Sequence, residues 1–454
     1  MGHGELGAGA GLALLWLAAA AAAIAQPAAP GGPLPGPLPL FPADNWWNVD
    51  VSRTPVDPAS ASLIGFIGAG QPLHPDFGGD TDPPPSLYGF PYVVVPGSQP
   101  LVPVAFVEFG DESDAGAPGR PPGYPIPPEA ATQPRWIEGG YPGNAQPGGD
   151  RHMLLVDRDN RILFELYHAQ WNDAMQRWEA GSGAVFPLDS NRRRPAGWTS
   201  ADAAGLAILP GLIRYDEVFG PDPIRHAFRF TVRDSNGYVF PASHAAGSNP
   251  AAPPMGTRLR LKAGKDLSSF PPEVQKIFQA MKTFGLLLAD NGSDMYVQGT
   301  YDTRWNNDVL NPAFASLAAG DFEVVQLGWQ PPAGPPPGPC IAGPTRLCLA
   351  AGRFAVDVQW TTAGGGNGAG QARPLTGDTG TFWFFDSANL ELVVKLLDGC
   401  TVNRHFWFFA GGLTDLRTVI TVTDSSTGAA RRYINHQGTP FAPLQDTAAF
   451  AGCP

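Results

Sequence analysis

The stretch Gly148–Trp171, GGDRHMLLVDRDNRILFELYHAQW, reads as two β-strands around a turn, and its strand bodies carry His152, Glu165 and Tyr167. Short apolar runs flanking an Asp-Asn pair mark a hairpin. A turn centred on Asp159-Asn160, with a two- or four-residue loop, sets Asp157 opposite Ile162, Leu154 opposite Glu165 and His152 opposite Tyr167. In that register His152, Leu154, Val156, Leu163, Glu165 and Tyr167 share one face, because side chains alternate along a strand and cross-strand partners project together. A three-residue loop breaks the arrangement, so the shared face depends on the turn. A histidine, a tyrosine and a carboxylate on one rigid face can supply a base, an acid and an orienting group. The plainer reading is a buried cluster that hydrogen-bonds itself while Leu154 and Leu163 pack around it. His168 falls on the opposite face, as a structural or surface residue.

Working outward, the 454 residues suffice for two or more domains with sizeable cores. Only 15% are charged, while Gly contributes 56 and Pro 50, so turns and short strands should outnumber long helices. The formal charge is -12 and the longest basic run is Arg192–Arg194, which sets aside nucleic acid and anionic lipid as partners. The N-terminal run GLALLWLAAAAAAIAQP ends in the small-x-small pattern Ala23-Ile24-Ala25, which reads as a signal peptide over residues 1–25 and as export to the periplasm, cell surface or medium. MGHGEL before it lacks Lys or Arg, and the alternative is an uncleaved anchor helix. No later segment is long and apolar enough to cross a membrane, so no insertion is expected after cleavage.

Pro-rich segments at 26–40 and 331–339 read as spacers framing a large domain at 41–330 and a small one at 340–454. All four cysteines, Cys340, Cys348, Cys400 and Cys453, fall in the small domain. An even count in one exported unit suggests two disulfides, and Cys340–Cys348 with Cys400–Cys453 is the preferred of three connectivities. No C-x-x-C spacing occurs, so no metal is expected, and no cofactor motif is present. RFAVDVQW alternates as a half-buried strand. Phe382–Phe385 and Phe406–Phe409 repeat the sequence FWFF, as paired core strands or as an aromatic platform for sugars.

The large domain is also mainly β, with strands expected at YVVV, VPVAFVEF, HMLLVD, ILFELYHA, HAFRFTV, GYVFPA, TRLRLKA, GLLLAD, MYVQGT and FEVVQL. Asn291-Gly292 is a hairpin-turn signal between two of these. One helix is expected from Thr199–Asp202 through ADAAGLAIL, and another after SSFPPE, where Val274, Ile277, Phe278 and Met281 follow helical spacing. The fold expected is a twisted β-sandwich or jelly roll with a few peripheral helices, joined to a small all-β sandwich. The motifs GSGAVFPLDSNRRRPAGWTSADAAGLAILPGLIRYDEV, PPMGTRLRLKA and LLLADNGS resemble a large family of exported bacterial proteins. The segment from Cys340 resembles a C-terminal accessory domain of bacterial secreted proteins. The resemblance implies export and two domains and carries over no catalytic residue.

The function expected is an exported enzyme acting on an extracellular polysaccharide; the alternative is a non-catalytic surface or matrix protein that binds glycan or protein. Hydrolysis needs two carboxylates, which nominates Glu165 with Glu138 or Asp150. Eliminative cleavage of a uronate polymer needs a base and a neutralised carboxylate, which nominates His152 and Tyr167 with Arg151. Trp136 lies beside a Gly pair in a loop able to approach a ligand; Arg214 follows a proline stop and reads alternatively as solvated charge; Asp302, Arg304 and Trp305 group in a loop suited to sugar contact but equally readable as an ordinary hairpin exit. His226, in phase with Phe228 and Phe230, reads as a satisfied core histidine.

Overall fold

The computed structural model describes residues 27–114, 121–145, 147–331, 338–364 and 366–453. The expected signal peptide, and most of the expected 331–339 linker, lie outside these. The chain is mainly β, with 33% strand and 12% helix.

In chain order the large region contains β1 (Ala29–Pro30), β2 (His74–Asp76), β3 (Tyr92–Val95), β4 (Val104–Phe106), β5 (Met153–Asp157), β6 (Ile162–Tyr167), β7 (Gln170–Asn172), β8 (Arg177–Ala180), β9 (Ser182–Pro187), β10 (Phe228–Val232), β11 (Arg258–Leu261), β12 (Leu286–Asn291), β13 (Tyr296–Gln298) and β14 (Phe322–Val324). Its α-helices are α1 (Ser60–Ile67), α2 (Tyr215–Val218), α3 (Pro272–Thr283) and α4 (Asn307–Ala315). The strands make three sheets, ordered β1-β3-β5-β6-β9, β14-β11-β12-β10-β13-β2 and β4-β8-β7.

The quoted hairpin forms at the centre of the first sheet. Asp157 pairs with Ile162 and Leu154 with Glu165, the register expected from the four-residue turn; His152 immediately precedes β5. All of β5 is buried because both faces of this sheet are covered. Leu154, Val156, Leu163 and Phe186 meet Phe228, Phe230, Leu286 and Leu288 of the second sheet in one core. Met153, Leu155, Phe164 and Leu166 meet Tyr124, Trp136, Ile137 and Trp178 in another, beneath the small third sheet. A fully buried aliphatic side chain contributes roughly 1.5–3 kcal/mol, so a strand apolar on both faces is placed most favourably between layers.

Helix α3 forms where expected, with Val274, Ile277, Phe278 and Met281 buried. The helix expected from Thr199 through ADAAGLAIL does not form. Residues 199–208 are irregular backbone with bends and one turn, followed by a short 3-10 turn, Leu209–Gly211. Ser200 Oγ accepts the Asp202 N–H at 2.8 Å and donates to the Leu206 carbonyl at 2.6 Å, so local side-chain bonds replace the helical ladder. Gly205 has φ +71°, and a Cβ there would stand 2.0 Å from Ser243 Oγ, so the chain can pass only as glycine. The Asn291-Gly292 signal also misleads, since β12 and β13 are not neighbours. β10 lies between them, parallel to β12 and antiparallel to β13. GYVFPA forms only an isolated bridge, Tyr238 to Met255.

The Pro-rich segment read as an N-terminal spacer is held against the large domain instead. Ala29–Pro30 pairs with β3, Leu40 is buried in the inter-sheet core, and Arg161 Nη2 donates to the Leu40 carbonyl at 3.1 Å. Poor sheet formers can still sit at an edge, where no further strand needs their N–H groups.

The C-terminal region contains β15 (Arg346–Leu349), β16 (Phe354–Thr361), β17 (Asn367–Ala369), β18 (Gln371–Pro374), β19 (Thr379–Trp383), β20 (Leu392–Gly399), β21 (His405–Gly412), β22 (Arg417–Asp424), β23 (Ala430–Asn435) and β24 (Leu444–Ala451). Two sheets, β15-β16-β22-β23 with β17, and β18-β19-β20-β21-β24, enclose a core of their own that includes Phe354, Val356, Phe382, Phe406 and Phe408. Polar contacts do cross to the large region: Arg417 Nε donates to Asn160 Oδ1 at 3.0 Å, and Arg432 pairs with Asp189.

The disulfides are Cys340–Cys348 and Cys400–Cys453, with sequence separations of 8 and 53. Loop-closure entropy makes the second worth about 4 kcal/mol and the first about 2.5 kcal/mol. Reduction is therefore expected to lower one calorimetric transition and leave another unmoved, because no cysteine precedes Cys340. A Cys400→Ala/Cys453→Ala variant should account for most of that loss. Equal response of all transitions to reductant would contradict the separation of the two cores.

Candidate functional site

The hairpin face singled out by the sequence is the face turned toward the second sheet, and that placement seals most of it. Glu165 is 0% exposed and His152 2%. Glu165 Oε1 accepts the Ile208 and Leu209 N–H groups at 3.0 and 2.9 Å, at the start of the 3-10 turn. Burial pushes its carboxyl up to about 7, against the pull of those two amides.

His152 is saturated. Its Nδ1 lies 2.6 Å from Glu138 Oε2 and its Nε2 3.0 Å from the Ala201 carbonyl. Both neighbours are acceptors, so both ring nitrogens donate and the ring is an imidazolium. Burial opposes that charge, but the Glu138 carboxylate outweighs it and raises His152 to about 9. Burial would raise Glu138 in turn; His152 and Arg229 hold it below the usual carboxylate range. An imidazolium with both protons engaged is not a general base, which removes His152 from the role the eliminative reading gave it.

Arg151 and Trp136 are likewise enclosed. Arg151 is buried, with Nε donating to the Ala169 carbonyl and Nη2 to that of Pro142, each at 3.0 Å. Trp136 belongs to the core beneath the third sheet. The remaining nominated residues gather elsewhere. Arg304 makes a bidentate pair with Asp302 and lies 4.0 Å over the Tyr215 ring; Tyr215 packs 5.1 Å from Trp305, and Arg214 Nη2 meets Glu217 Oε2 at 2.6 Å. Trp305 is buried and donates Nε1–H to the Thr300 carbonyl. His226 is buried against Glu217 at 2.9 Å.

Tyr167, at the end of β6, does open outward. It lines a cleft of about 470 Å³ with Asp150, Ser182, Ser200, His244, Asp290 and Asn291. The walls are the 199–203 loop, the 244–246 segment and the end of β12. Asn291 Oδ1, although enclosed, has no donor among the described residues. Asp290 leaves 24% of its side chain accessible and accepts from Arg229 Nη2 at 3.2 Å. Arg229 gives its better bonds to the fully buried Asp202, Nε to Oδ2 at 2.9 Å and Nη2 to Oδ1 at 2.8 Å. Burial, together with the nearby Asp202 charge, lifts Asp290 to about 7 despite Arg229. Asp150 is exposed in the same cleft. His244 Nδ1 donates to the Ala203 carbonyl at 2.8 Å, which directs Nε2 toward Glu112 Oε2, 3.8 Å away.

Sequence reasoning missed Asp290, Asn291 and His244. ADNGSD drew attention to its turn residues and away from the acid before them. One signal was present: Arg229, between Phe228 and Phe230 in a strand buried throughout, had to have a buried partner. Among the described residues, no group of three or more His, Cys, Asp or Glu is arranged to hold a metal ion.

These shifts carry a pH dependence of fixed sign. His152 is raised from 6.5 to about 9, so its contribution is complete below pH 6.5 and is lost as pH rises through 9. Glu165 and Asp290 act in the same direction up to about pH 7, while His436, pushed down by burial, opposes them below pH 6.5. Unfolding free energy is expected to fall by up to about 3 kcal/mol between pH 7 and 9, with the decline much reduced in His152→Gln. A wild-type melting temperature that is flat across that interval would refute the imidazolium assignment.

No protein-family model, no curated protein and no solved structure matches this chain.

Proposed function

We propose that the cleft is the acid/base site of an exported enzyme that hydrolyses a polysaccharide. The observation that carries this reading is Asp290, a carboxyl raised to about 7 at an accessible position in a cleft that also presents the Asp150 carboxylate and the Tyr167 hydroxyl. A carboxylic acid still protonated near neutrality can donate to a leaving glycosidic oxygen, while an ionised partner activates water or attacks the sugar. Here Asp290 is the acid and Asp150 the base or nucleophile. Tyr167 and Asn291 meet sugar hydroxyls.

Hydrolysis is favoured over elimination by what the cleft lacks. His152 has both ring nitrogens engaged, Arg151 is buried with Nε and Nη2 on backbone carbonyls and does not line the cleft, and among the described residues no Arg or Lys lines it to neutralise a uronate. Export is supported by the N-terminal apolar run and by two disulfides, which suit an oxidising compartment. No helix among the described residues is long and apolar enough to cross a membrane. The sealed His152 and Glu165 favour the second reading, a glycan-binding protein without catalysis. Incubating purified chain with neutral polysaccharides and with polygalacturonate separates the three. New reducing ends from a neutral polymer, without unsaturated uronate, are expected. Unsaturated product from polygalacturonate would establish elimination, and no product from any polymer would leave binding alone.

A further inference from the structure

A second site lies on the C-terminal sandwich. We propose that an open depression of about 550 Å³, bounded by Phe385, Glu391, Gly412–Leu416 and Pro440–Phe441, binds neutral pyranose units of a polysaccharide. Phe385 is 58% exposed, and its ring is braced by Trp360 at 4.7 Å. Phe441 is seated directly over Gly412, where a Cβ would stand 2.7 Å from its Cγ. Two rings are thus held at one depression by fixed neighbours, at no further ordering cost. Glu391 is 93% removed from solvent by its 7% exposure, yet lines the same depression. Its Oε1 accepts from Asn389 Nδ2 at 2.6 Å, and its Oε2 has no donor among the described residues.

That combination selects the ligand. A carboxylate oxygen open to the depression and without a protein donor accepts a hydroxyl or an N–H, and an exposed ring calls for an apolar face. A pyranose presents both, with C–H bonds on its face and hydroxyls around its edge. Glu391 and Asp415 disfavour an anionic sugar, since among the described residues no Lys or Arg lines the depression. A purely apolar partner would cover Glu391 and leave its oxygen unpaired. This site does not depend on cleavage in the large-domain cleft.

The test is native electrophoresis of the full chain through gels containing a soluble β-glucan, a starch-type α-glucan, a galactomannan or polygalacturonate. At least one neutral polymer is expected to retard the chain, and polygalacturonate is not. Phe385→Ala, an exposed substitution that leaves the core intact, should weaken that retardation about tenfold, the scale of one lost aromatic contact. Release of reducing ends from short oligosaccharides should be unchanged in this variant. Absence of retardation by every neutral polymer, or equal retardation of wild type and Phe385→Ala, overturns the proposal. A chain that is retarded through Phe385 but yields no reducing ends overturns the cleft reading and leaves this site standing.

Discussion

Replacing Asp290 with Asn is expected to reduce glycan cleavage by roughly 10²-fold or more while leaving the chain folded. Asn keeps the volume and can still accept from Arg229, whose stronger bonds go to Asp202 in any case. What it loses is the proton. With Asp290 at about 7 in the free protein, cleavage should fall on the alkaline side as the carboxyl ionises. Substrates with an activated leaving group, which need little protonation, should recover much of the lost rate in Asp290→Asn but not in Asp150→Asn. Glu165→Gln is the contrast. The Ile208 and Leu209 amides hold both carboxylate oxygens, so its replacement should change stability and leave activity per folded molecule near wild type. If Glu165→Gln removes activity and Asp290→Asn does not, the site belongs to the sealed hairpin face and the cleft is incidental.

The contrast between these two carboxyls shows what a sequence of this kind reveals. The hairpin register was legible because period-2 alternation and a short turn leave few solutions, and the small sandwich was legible from RFAVDVQW and four confined cysteines. Which face of the hairpin met solvent was not, because a polar face can look toward water or toward a second sheet that supplies partners. Here Ile208, Leu209 and Ala201 supply them, and they come from a segment whose composition reads as a helix. ADAAGLAIL has high helix propensity, but Ser200, Gly205 and the Asp202–Arg229 pair fix it as a buried loop. Tertiary partners overrode local preference there, and that override built the cleft wall. Asn291-Gly292 failed for a related reason: the turn connects two strands that a third separates, and this arch brings Asp290 beside Arg229.

Arg229→Met should be the most destabilising single change near the cleft, costing about 3–5 kcal/mol. Arg229 and Asp202 are both almost wholly buried, and removing the cation leaves the Asp202 carboxylate enclosed without its bidentate partner. The effect should appear in the thermal transition that ignores reductant, since the disulfides belong to the other core. Arg229→Met combined with Asp202→Leu tests the cause. Removing both charges should recover much of the loss, because a matched apolar pair avoids the desolvation that either lone ion incurs. Any of the double variant that folds should also show the alkaline limb of cleavage displaced, in a direction that reports the balance of two opposed effects. Arg229 lowers Asp290 and Asp202 raises it, so their joint loss leaves burial as the main influence, whereas Asp202→Asn alone should move that limb to lower pH. A double variant no more stable than Arg229→Met would mean that the pair is held by packing around the guanidinium, and that charge is not what this part of the core is built to balance.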